Sequence, residues 1–186
     1  MNRNNTFKIT FMSIAVVINI VGAFVATSLK LPIFIDTIGT FLSAFLFGPI
    51  GGVLTGLVTS LINGLTFDPY SLYFMLVQII IGFMAGLCYR KNLFKGKAMV
   101  LGIVIVTVIG SFVASLISAF VFGGITSSGT SFIIMYLKEA GINIVASIFS
   151  TQILFDLLDK SITVCLVLTL IKAFPSKIIG AVKNVE

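Results

Sequence analysis

The stretch STQILFDLLDKSIT (150–163) gathers the side chains best equipped for chemistry in this chain. Gln152, Asp156 and Lys160 recur at four-residue spacing, so a helix would carry them on one face with Asp156 and Lys160 able to pair. Asp159 has no obvious local partner. Charges at membrane depth are costly and usually face a cavity or one another, which points to a site. The plainer alternative is a solvated outer end of the last helix, with Asp159 near its start. KLPIFIDTIG (30–39) raises the same choice. Asp36 is a sound N-cap for a helix beginning at Thr37, worth about 1 kcal/mol, and a ligand role would be additional. In FDPYS (67–71), Asp68 followed by Pro69 forms a fuller capping signature.

Absent residue types narrow the chemistry further. There is no histidine, which removes Ser-His and Cys-His catalysis and histidine-ligated metal sites. No P-loop appears, so ATP hydrolysis by that route is excluded. No acids are clustered at a spacing suited to divalent metals. Cys88 and Cys165 sit in apolar surroundings without disulfide, zinc or haem spacing and read as buried structural thiols. The expectation is a protein without cofactor or metal, and not an enzyme.

Composition dictates the solvent of the scaffold that holds these groups. Of 186 residues, 58% are hydrophobic and only 10% charged, with mean hydropathy +1.19. A soluble domain carries about 25% charged residues. The apolar runs approach or exceed the roughly 18–20 residues that cross a bilayer and show no strand alternation. The chain therefore reads as an all-α integral membrane protein, one domain over 1–186 built as a compact bundle of six transmembrane helices. These are placed at about 9–29, 37–47, 50–65, 71–89, 99–122 and 152–174, with a mixed segment at 132–150. Gly48-Pro49 divides the second from the third, because proline has no amide hydrogen to continue a helix. The first run is longer than a signal-peptide core and is read as helix 1.

Charge sets the orientation. Lys and Arg cluster at the N-terminus (Arg3, Lys8), in RKNLFKGK (Arg90, Lys91, Lys95, Lys97) and in the tail (Lys172, Lys177, Lys183). Six crossings bring all three clusters, and both termini, to one side, which the positive-inside rule makes cytoplasmic. Asp36, Asp68 and Glu139 then fall outside. The net charge of +6 follows from topology and calls for no nucleic-acid partner.

Small residues recur every four positions: Gly52, Gly56, Ser60 and Gly64; Gly82 and Gly86; Gly110, Ala114 and Ser118. Such stripes let helices approach closely. Thr55, Thr59 and Asn63 form a polar stripe beside the first of them, suited to interhelical hydrogen bonds or to a site near Asn63.

Taken together, LPIFIDTIGTFLSAFLFGPIGGVLTGLVTSLIN, the basic face and the final DKSITVCLVLTLI resemble the substrate-binding S components of energy-coupling factor (ECF) transporters. The resemblance covers nearly the whole chain. It implies a subunit of a bacterial plasma membrane importer that captures a vitamin-like molecule at the outer face. Its partners would be a transmembrane coupling subunit and two cytoplasmic ATPases. By position in that family, Asp36, Asn63, Tyr70, Asn143, Gln152, Asp159 and Lys160 would contact the substrate. The coupling subunit would dock on a small-residue stripe of helix 1, here Ala15, Asn19 and Ala23 with Gly22 and Ala26 alongside. Group likeness suggests a cobalamin-type or nucleoside-like cargo. The competing reading is a small homo-oligomeric channel or facilitator, with the stripes as subunit contacts and Asp156/Lys160 lining a pore.

Overall fold

A computed structural model of the chain describes residues 3–175, so Lys177 and Lys183 lie outside the described residues. It contains seven helical elements: α1 (Arg3–Ser28), α2 (Ile38–Thr66), α3 (Tyr70–Tyr73), α4 (Met75–Arg90), α5 (Ala98–Phe122), α6 (Thr130–Glu139) and α7 (Ile144–Ala173). By length and composition, Asn5–Ser28, Ile38–Thr66 and Ala98–Phe122 are apolar enough to cross a membrane.

For α2 that count misleads, because the chain reverses inside it. Gly48 takes φ +77° and ψ −172°, a backbone that glycine alone adopts cheaply, and Pro49 follows without an amide hydrogen. A Cβ on Gly52 would stand 2.8 Å from that of Ala44, and Asn19 of α1 bonds both Thr40 and Thr59. On one straight helix those two threonines would be about 28 Å apart. Residues 38–47 and 49–66 are thus two antiparallel arms.

The second arm packs antiparallel on α4 through its glycines. A Cβ at Gly52 would meet the carbonyl oxygen of Gly82 at 2.5 Å, and one at Gly56 that of Gln78 at 2.8 Å. Gly86 abuts Pro49, and Gly110 of α5 receives Ile81. The four-residue stripes of α2, α4 and α5 are therefore used within the chain, where van der Waals packing replaces a hydrophobic driving force.

Aromatic contacts mark one end of the bundle. Phe11 packs edge-on against Phe47 at 5.6 Å and Phe174 at 5.7 Å, while Gly48 lies beside the Arg90 guanidinium. The start of α1, the reversal in α2, the α4–α5 connection and the end of α7 share this end, with Lys8, Arg90 and Lys172 on them. At the opposite end, Tyr70 and Phe74 pack on Phe122.

The last third differs most from the sequence reading. Instead of a mixed segment followed by a helix from 152, α6 ends before Gly141 (φ +86°) and α7 runs 30 residues from Ile144. Ser147 and Ser150 donate back to the carbonyls of Asn143 and Ala146, which keeps a polar-looking stretch helical. Asp159 is consequently mid-helix and buried, and the solvated-end alternative falls away. Cys88 is buried but Cys165 is exposed on the flank of α7, so only the former is a core thiol.

Replacing Gly82 with valine is expected to force the second arm off α4 and cost about 1–3 kcal/mol. Thermal unfolding in detergent checks this, and an unchanged midpoint would mean the glycine contact is not close.

Candidate functional site

Residues 31–36 turn back into the bundle instead of remaining outside it. The carbonyl of Ile35 lies against Gly22, six residues before the end of α1, so the segment descends about 9 Å alongside that helix. Irregular backbone at such depth is tolerated where it is buried in protein or lines a cavity. Here a side chain meets it: Ile35 N donates to Asp159 Oδ1 at 2.9 Å, while just beyond the segment, in the first turn of α2, Gly39 N donates to Asn19 Oδ1 at 2.7 Å. Ile35 has φ +53°, a strained region for a β-branched residue and one that persists only where surroundings fix it.

Above this segment lies a cavity bounded by the end of α1, the 31–36 segment, the start of α4, α5, α7 and the 126–128 loop. Its polar wall comes from α7. Asp156 Oδ2 accepts from Ser111 Oγ at 2.6 Å and from Gln152 Nε2 at 3.1 Å. Lys160 Nζ donates to Asp159 Oδ2 at 2.8 Å and stands 3.8 Å from Asp156 Oδ1. On the facing side, Gln78 Nε2 donates to Asp36 Oδ2 at 2.7 Å, and Gln78 Oε1 accepts from Thr40 Oγ1. Phe34, Tyr70 and Phe74 supply aromatic surface. The rim is tied by Lys30 Nζ donating to the carbonyl of Ser127, and by Gly129 N donating to that of Leu31.

Of the residues named from sequence, Asp36, Tyr70, Gln152 and Lys160 line this cavity. Asp159 sits beneath it, holding the segment below. Asn143 and Asn63 are elsewhere. Asn143 is exposed and caps α7 by accepting from Val145 N, while Asn63 is buried away from the lining. Asp36 does not cap α2: Thr37 holds that position without a side-chain bond, and the Asp36 carboxylate goes to Gln78. Asp68 takes the hydroxyl of Ser71.

The helix 1 stripe is likewise turned inward. Ala15, Asn19, Ala23 and Ala26 are buried, Gly22 is pressed on Ile35, and Ala23 and Ala26 line the cavity. The outward face of α1 carries Ile14, Val17, Val21 and Phe24 instead. Sequence reasoning did not assign Gln78, Ser111 or Thr37. Gln78 and Ser111 are lone polar residues in apolar runs, a signal shared with packing positions, and Thr37 stands beside Asp36.

A family model described as ECF transporter, substrate-specific component, matches residues 7–171. No curated protein and no solved structure matches the chain.

Substituting Lys160 with methionine leaves two buried carboxylates without their cation and is expected to cost about 3–5 kcal/mol. Adding Asp156→Asn and Asp159→Asn should recover most of that loss, because asparagine still accepts from Ile35 N. Denaturation in detergent reads both, and a fully stable Lys160→Met protein would mean the carboxylates are met from another source.

Proposed function

The chain belongs to the substrate-specific components of energy-coupling factor transporters, multi-pass proteins of the cell membrane, and on that premise we propose that it captures a vitamin-sized molecule in the cavity above the 31–36 segment. The observation that carries this is the convergence of Asp36, Gln78, Gln152, Asp156 and Lys160, three of them ionisable, on one cavity in a bundle of apolar helices. Polar groups at membrane depth are kept where cargo needs them.

The basic end of the bundle faces the cytoplasm under the positive-inside rule, so the cavity opens outward. Six helical crossings follow when the two arms of α2 are counted apart. Release into the cell then falls to a transmembrane coupling subunit and two ATPases, since the chain carries no nucleotide-binding motif. With Ala15, Asn19 and Ala23 inside, the coupling subunit docks on outward-facing residues. The chain itself catalyses no reaction. A homo-oligomeric channel loses its main support, because the stripes of α2, α4 and α5 are occupied internally.

Native mass spectrometry of the full chain is expected to find one small molecule per polypeptide. Gly22→Leu should push the 31–36 segment aside and weaken capture at least about tenfold. A ligand-free homo-oligomer, or a Gly22→Leu protein that retains its ligand fully, would count against the proposal.

A further inference from the structure

The charges around the cavity do not balance. Asp36, Asp68 and Asp156 line it and Asp159 lies directly beneath, whereas Lys160 is the cation of the lining and Lys30 the one at the rim. Four carboxylates face two ammonium groups, an excess of two negative charges. Lys160 is also engaged, 2.8 Å from Asp159 and 3.8 Å from Asp156, so it offers little to an incoming anion. Asp36 is answered only by the neutral donor Gln78, and Asp156 by Ser111, Gln152 and a share of the Lys160 ammonium. An uncompensated carboxylate in a low-dielectric site favours a cation beside it.

A second feature points to a ligand. Thr37 is 1% exposed and lines the same cavity, yet its Oγ1 has no partner in the protein. A buried hydroxyl without a partner costs free energy that a bound polar group restores. Phe34, Tyr70 and Phe74 add aromatic faces, which attract cations as well as flat rings.

We infer that the captured molecule is an organic cation: a protonated amine or amidine joined to a flat ring, with its charge between Asp36 and Asp156 and a polar atom meeting Thr37. This rests on the capture reading above and specifies its substrate class.

Three probes with one ring and different charge test it on the full chain in detergent: benzamidinium, benzamide and benzoate, each followed by ligand-observed NMR titration. Benzamidinium is expected to bind at least about tenfold more tightly than benzamide, with benzoate weakest. Asp36→Asn and Asp156→Asn, checked for folding by thermal unfolding, should each narrow the gap between benzamidinium and benzamide. Equal binding of all three, tighter binding of benzoate, or no benzamidinium binding up to millimolar concentration overturns the inference. A neutral or acidic molecule co-purifying with the chain would overturn the charge assignment and leave capture intact. No bound molecule, combined with unaided passage of solutes through reconstituted vesicles, would overturn capture itself.

Discussion

Each oxygen of a carboxylate held among membrane-spanning helices has to be answered by protein, and at Asp159 that demand organises the site. One oxygen takes the Lys160 ammonium and the other the amide of Ile35. The first contact places the cation on the cavity wall; the second pins an irregular segment well below the end of α1. Without that pin, Ile35 would have little reason to hold a left-handed backbone, and the adjoining Asp36 would not be presented to Gln78. The chain of bonds continues through Thr40 to Asn19, which also takes Thr59 and the Gly39 amide. Four elements are thereby tied to one buried ion pair. Its net stabilisation is small, since desolvation offsets attraction, so its contribution is to fix an arrangement.

The opposite half of the bundle is held by other means. There the contacts are glycine against backbone, between the second arm and α4, and aromatic edges around Phe11 and Phe45. Close packing of this kind asks for few polar groups, although Ser43 and Thr55 within it keep buried hydroxyls without a protein partner. The polar half is open by comparison, and Thr37 on the cavity wall holds a buried oxygen without a protein partner. The start of α1 and the end of α7, with Lys8, Arg90 and Lys172, gather on the packed side, and the cavity opens on the other.

Much of this could be read from the sequence, for identifiable reasons. Long apolar runs, the Gly48-Pro49 break and the four-residue spacing of Gln152, Asp156 and Lys160 are local signals, and they gave a helical membrane protein with a polar face on its last helix. What escaped was set by tertiary structure. Asp36 looks like a cap because capping is local, whereas its partner Gln78 is 42 positions away. The Ala15–Ala26 stripe signals close approach without naming the neighbour, which proves to be α2 and the descending segment. Asn143 was drawn into the site by its position near α7, but its carboxamide is used on the helix end. Ser147 and Ser150 fall in the stretch read as mixed, although hydroxyls that bond back to their own helix cost it little.

The reversal at Gly48 also bears on how the chain enters the bilayer. Its first arm is ten residues, about 15 Å, half of what a bilayer core requires. Residues 39–49 are all buried among the other helices of the bundle. During synthesis it therefore cannot be released into lipid as an independent helix. It has to enter with the second arm as a hairpin, against an α1 already in place to offer Asn19. The order of insertion is in this way written into the shortest helix of the protein.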